Sequence, residues 1–146
     1  MDSGIKRAVC VWHRRSGKDT TALNFTIRQM FLRKGIYFHF FPTYAQGKKI
    51  LWDGLDAKGS PFLDHFPPEL VVTKNETVLQ VVTRNGSVWQ IIGTDNIDRV
   101  VGSNPVGCVF SEFALQDPGA WDLLRPILRE NGGWAIFIFT PRGQDD

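Results

Sequence analysis

A glycine followed directly by a lysine, where an apolar run gives way to an amphipathic one, is a combination that can hold phosphate. Here it lies within His13-Arg14-Arg15-Ser16-Gly17-Lys18-Asp19-Thr20, immediately after the apolar residues 8–12. Gly17 lets the backbone turn closely, successive N–H groups converge on phosphate oxygens, and Lys18 neutralises the β and γ phosphates. The segment departs from the usual G-x-x-x-x-G-K-[ST] pattern, because Trp12 stands at the first glycine position and Asp19 follows the lysine. Taken alone, the same residues also describe an ordinary basic turn between a strand and a helix.

Two further groups follow in chain order. The run Val109-Phe110-Ser111-Glu112 is a hydrophobic strand ending at a carboxylate. Where such a strand ends in two acids, the first helps hold Mg²⁺ and the second polarises the attacking water, which makes Glu112 the candidate base. An isolated instance reads equally as a surface carboxylate at a strand end. Residues 134–139 then run into Thr140-Pro141-Arg142-Gly143. Proline and glycine stop the strand there, and Thr140 offers a hydroxyl at the carboxyl edge of the sheet, where open α/β sheets bind ligands. By itself this is a plain loop; together with the other two it puts three reactive groups on one sheet edge.

The elements that must position these groups follow from periodicity. Residues 8–12, 36–41, 106–110 and 134–139 are short apolar runs suited to buried strands. Residues 19–33 carry Leu23, Ile27, Met30 and Phe31 at helical spacing, and residues 118–130 carry Trp121, Leu124 and Leu128 likewise. Residues 44–55 form a third helical stretch with Ile50, Leu51 and Leu55 on one side, although Gly47 works against it. Residues 60–68 are a loop interrupted by proline. Residues 78–83 and 88–93 are β-rich and flank Arg84-Asn85-Gly86-Ser87, a strong hairpin signal. The expected fold class is α/β: one domain with a mostly parallel sheet, helices on both faces and an inserted β-hairpin.

Size and composition agree with a single ordered domain: 146 residues, 42% hydrophobic and 22% charged, without low-complexity tracts. No apolar run approaches the roughly 20 residues of a membrane-spanning helix, and the N-terminal residues lack a signal-peptide pattern. A net charge of +2 is too small to argue for a nucleic-acid partner. Cys10 and Cys108 fall in expected strands without C-x-x-C spacing, which favours reduced core residues. His39, among aromatics, reads as a satisfied core histidine. Trp52, Trp89, Trp121 and Trp134 read as core or groove-lining rings, and Lys48 and Lys49 as a solvated face.

The residues from His13 to Lys18, the approach Gly102-Ser103-Asn104-Pro105 to Val109-Phe110-Ser111-Glu112, the following Asp117-Pro118-Gly119-Ala120-Trp121, and Thr140-Pro141-Arg142-Gly143 together resemble phage terminase large subunits. The resemblance spans nearly the whole chain and implies a P-loop NTPase core of the ASCE, RecA-like class. It implies ATP and Mg²⁺ as ligands, with Arg14, Arg15, Ser16, Gly17, Lys18, Asp19 and Thr20 forming the ATP-binding loop. Lys18 would grip the phosphates, Arg14 would stabilise charge, Glu112 would be catalytic, and Thr140 would couple hydrolysis to DNA movement. The implied partners are double-stranded DNA, a portal protein, a small terminase subunit and further copies in a ring, at work in the host cytoplasm. Such subunits carry a nuclease domain after the ATPase, and none can be assigned within residues 1–146, so the chain is expected to be a partial ATPase domain. A helicase-like P-loop ATPase and a non-catalytic nucleotide-binding module are the rival readings.

Two departures from that pattern concern the metal. The Ser/Thr expected after the lysine is Asp19, and the first acid expected at the end of the strand is Ser111. One carboxylate and one hydroxyl would still face Mg²⁺, so the exchange would be compensatory, with Asp19, Thr20 and Ser111 as its contacts. Alternatively, Asp19 caps the start of the helix and Thr20 supplies the hydroxyl.

Overall fold

The computed structural model describes residues 6–11, 15–56, 58–100, 102–112 and 118–139; for residues 6–11, 15–18, 96, 98, 99, 118 and 139 it is the backbone path that is described. Strand β1 (Lys6–Val11) leads to helix α1 (Arg15–Leu32) and strand β2 (Ile36–Phe41). A short helix α2 (Tyr44–Gly47) widens into a π-helical segment, Lys48–Trp52. Two single 3₁₀ turns precede strands β3 (Val71–Asn75), β4 (Gln80–Thr83) and β5 (Val88–Gly93). Strand β6 (Pro105–Phe110), helix α3 (Pro118–Asn131) and strand β7 (Trp134–Phe139) follow.

One seven-stranded sheet runs in the order β1-β7-β6-β2-β5-β4-β3. The five strands from β1 to β5 are parallel to their neighbours, and β4 and β3 extend them antiparallel. The expected α/β class with its added hairpin is therefore the observed one.

Both faces of the sheet are covered, which is why its central strands are apolar at consecutive positions rather than alternating. Tyr37 and Phe41 of β2 pack with Leu23, Ile27 and Met30 of α1 and with Trp52, Phe62, Phe66 and Trp89. Phe38 and Phe40 face the other way, with Phe110, Phe137 and Leu124 and Leu128 of α3. Trp121 stands edge-on to Phe110 and Phe137, at 5.8 and 5.0 Å between ring centres. Cys108 is buried in this layer, and burial pushes its thiol well above the usual range. The four tryptophans pack as expected; the side chain of Cys10 lies outside the described residues.

Two expectations are corrected, and one strand had not been anticipated. Helix α1 starts at Arg15, not at residue 19. The N–H groups of a helix's first turn have no intrahelical partner, so a glycine there costs little and does not hold the helix off. Residues 44–55 are not one amphipathic helix: the helical path ends at Trp52, and Leu55 is 57% exposed. Strand β3 had no sequence signal, since Val72 to Asn75 on this sheet edge are exposed and lack alternation. The hairpin itself forms as read, with Thr83 accepting from the Gly86 N–H at 2.9 Å and Gly86 at φ 92°. That is a tight turn closed by a left-handed glycine, a geometry that strains any other residue.

Candidate functional site

The carboxyl ends of β1, β7 and β6 finish nearly level. Val11 pairs with Phe139, and Phe110 pairs with Phe137, with β7 lying between the other two strands. This edge receives the start of α1 and the residues after β6. Arg15, Ser16, Gly17 and Lys18 form the first turn of α1. The unpaired N–H groups and positive dipole end of an 18-residue helix therefore point to this edge, as an anion site needs. Arg14 and Thr140, together with Trp12, lie outside the described residues.

One turn into α1, Asp19 is 4% exposed, and across from it Ser111 is 2% exposed. The Ser111 hydroxyl donates to Asp19 Oδ1 at 3.0 Å. Ser111 is itself held in the sheet, its N–H donating to the Phe40 carbonyl at 2.9 Å. The pairing follows from alternation along β6: Cys108 and Phe110 face α3, whereas Val109 packs with Ala22 of α1, and Ser111 falls on that same side. A buried carboxylate is costly without donors, so this contact is part of what lets Asp19 sit there. It also decides against the capping alternative for Asp19: the helix begins four residues earlier, and the carboxylate reaches across to β6. Thr20 is half-buried at the next position of α1.

Glu112 follows Ser111 directly and is half-buried. Its φ is 56°, in the left-handed region that residues with a Cβ avoid, at a cost of about 1–2 kcal/mol. Strain of this sort gathers where a side chain must be aimed rather than merely accommodated.

Sequence reasoning missed His39. It is fully buried, as expected, but neither ring nitrogen has a hydrogen-bond partner among the described residues. Nε2 lies 3.5 Å from Asp19 Oδ1. The ring stacks on Phe41 at 5.1 Å and meets Trp89 edge-on at 6.2 Å. The available signal was the period of two in β2, which puts His39 with Tyr37 and Phe41 on the side facing α1.

No group of three or more His, Cys, Asp or Glu side chains that could hold a metal occurs among the described residues. The donor set is instead one carboxylate and one hydroxyl, both oxygen. Oxygen donors of this kind suit Mg²⁺, which binds through one or two carboxylates together with phosphate oxygens and water.

The far end of α1 is pinned by other parts of the chain. Its Met30 carbonyl accepts from Asn85 Nδ2 and from Ser87 Oγ, both at 2.7 Å, which ties the hairpin turn to the helix. Just beyond α1, Arg33 Nη2 donates to the Asn131 carbonyl at 2.7 Å at the end of α3. No helix among the described residues is long and apolar enough to cross a membrane.

No protein-family model matches the sequence, and no curated protein sequence does. Solved structures do share the fold. The ATPase domain of the large terminase of Thermus phage P74-26 superposes on 99% of this chain with a TM-score of 0.72 at 20% identity. The large terminase of a thermophilic bacteriophage, in complex with ADP, superposes on 94% with a TM-score of 0.71 at 14% identity. The chain spans 62% of the first of these structures and 34% of the second. Its fold is that of large-terminase ATPase domains.

Proposed function

We propose that this chain is the ATP-binding and ATP-hydrolysing core of a viral terminase large subunit, which drives double-stranded DNA into a capsid. The observation that carries the reading is the buried Ser111–Asp19 hydrogen bond. It joins the helix that opens with Gly17 and Lys18 to the end of the strand that delivers Glu112, on a fold shared with large-terminase ATPase domains. A basic turn and a surface carboxylate unrelated to each other would need no such link.

In this reading the phosphates of ATP rest on the N–H groups at the start of α1, with Lys18 balancing β- and γ-phosphate charge. Arg14 and Arg15 add positive charge, Arg14 being the one that stabilises the transition state. Glu112 orients and polarises water for in-line attack on the γ-phosphorus, and the β–γ bridging oxygen departs with ADP. Asp19, Thr20 and Ser111 are the residues that would hold Mg²⁺, which when bound neutralises β and γ oxygens. Thr140 relays the state of the γ-phosphate to DNA movement. Portal protein, small terminase subunit and further copies of the chain are the partners this role requires, within the host cytoplasm.

Calorimetry of Mg·ATP binding to the wild-type chain and to Lys18→Ala, with steady-state hydrolysis by wild type and Glu112→Gln, tests the reading. Loss of Lys18 should abolish measurable binding. Loss of the Glu112 carboxylate should leave binding and lower turnover by roughly 10²-fold or more, as for removal of a general base. A folded wild-type chain that binds no nucleotide overturns the proposal. Binding without hydrolysis, even with the partner domains of the full-length protein restored, favours the second reading, a non-catalytic nucleotide-binding module, for which Trp12, Asp19 and Ser111 are the supporting residues.

A further inference from the structure

We infer that His39 is a positioning residue for Asp19: it donates its Nε2 proton toward Oδ1 and fixes the carboxylate for a divalent cation that arrives with nucleotide. The inference rests on the nucleotide-site reading above and adds a residue to it. His39 is fully buried on β2, with no hydrogen-bond partner for either nitrogen among the described residues. Its neighbours on that face are Tyr37 and Phe41, and Trp89 stands edge-on to it. An apolar aromatic would fill such a position without stranding two polar atoms, so packing does not explain an imidazole there.

Asp19 Oδ1 lies 3.5 Å from Nε2. That separation is longer than a formed hydrogen bond, and contacts of this kind tighten when the site is loaded. Ser111 Oγ donates to the same oxygen at 3.0 Å. Both contacts fall on Oδ1 and neither on Oδ2, so the pair orients the carboxylate about one oxygen. Residues behind a metal ligand commonly set its orientation, and their loss weakens metal binding without removing a ligand.

The test has two readouts. Long-range ¹H–¹⁵N spectra of the histidine-labelled chain identify the tautomer, the His39 signal being the one absent from His39→Phe. The proton should sit on Nε2. Mn²⁺ affinity in the presence of ATP, measured by electron paramagnetic resonance, should fall about tenfold in His39→Phe. His39→Gln, which restores an N–H donor, should recover affinity to within about threefold of wild type. The Tm of His39→Phe should equal or exceed that of wild type, whereas a purely structural histidine would lower it. A proton on Nδ1, or Mn²⁺ binding by His39→Phe as tight as wild type, overturns the inference alone. Absence of Mn²⁺ binding by the wild-type chain with ATP overturns the nucleotide-site reading and this role with it.

Discussion

The Ser111 hydroxyl donates a hydrogen bond to Asp19 Oδ1 across the gap between β6 and α1, and both side chains are shut off from solvent. The acid and the hydroxyl have changed places relative to the pattern the chain resembles, yet they remain bonded to each other. Exchange of donor and acceptor preserves the link because each position still supplies one oxygen and the pair still carries one negative charge.

Ser111→Ala leaves a buried carboxylate short of a donor and should lower stability by about 1–3 kcal/mol. Asp19→Ala should cost less than a loss on top of that, so the double variant should fall short of the sum of the singles. Urea denaturation of the four chains checks this coupling. For nucleotide, Asp19→Ser combined with Ser111→Asp should bind Mg·ATP better than either single change. If the reversed pair binds no better, the exchange is not compensatory.

Glu112 lies at φ 56°, so its backbone and its carboxylate make opposite demands. Glu112→Gly relieves the left-handed strain, whereas Glu112→Ala keeps a Cβ there. The glycine variant should therefore be more stable than the alanine variant by about 1 kcal/mol, against the usual order for these residues. Both should lose hydrolysis. Equal stabilities would mean that the left-handed conformation is not maintained in solution.

Most of this fold was legible because its central strands are buried on both sides. Residues 36–41, His39 apart, and 106–110 lack the polar alternation of a half-exposed strand, and their length suits a buried strand. Strand β3 was not legible, since an edge strand exposing Val72, Thr73, Lys74 and Asn75 carries no burial pattern to read. At the candidate site, Lys18, Asp19, Ser111 and Glu112 were singled out by type and order. The joining of Asp19 to Ser111 was visible only as an exchanged pair, and its distance only in three dimensions. His39 was missed because a histidine among aromatics reads as core until the carboxylate on the facing helix is placed beside it. Gly47 lowered the helical reading of residues 44–55 for propensity alone, while its reason lies in packing.

That packing makes a prediction. A Cβ at Gly47 would stand 2.5 Å from Ile91 Cγ2 and 2.9 Å from Phe41 Cδ1, so the glycine is what lets α2 lie flat on β2 and β5. Alanine is the better helix former by about 1 kcal/mol, but overpacking a core contact costs about 1–3 kcal/mol. Gly47→Ala should therefore destabilise the domain. Adding Ile91→Ala should make the second penalty smaller than Ile91→Ala alone incurs, because the new methyl enters the space vacated. Thermal melts of the three variants decide the sign.

Asp56 sets the acid limit of the loop that packs on α1. Its Oδ1 accepts from the N–H groups of Lys58 and Ser60 at 2.9 and 3.0 Å, and its Oδ2 lies 2.8 Å from His65 Nε2. His65 Nδ1 in turn lies 3.1 Å from Asn24 Oδ1 on α1. The Ser60 N–H first, and then the His65 ring, hold this carboxyl below the ordinary range. A group whose value is depressed on folding stabilises the fold above its unfolded value, near 3.9, and loses that contribution as pH falls through the folded one. Asp56→Asn should thus be less stable than wild type at about pH 5, by a margin that narrows below about pH 4. Urea midpoints measured for both chains across that range give the answer, and a margin that stays constant down to about pH 2 would show that the carboxylate's ionisation contributes nothing to holding the loop.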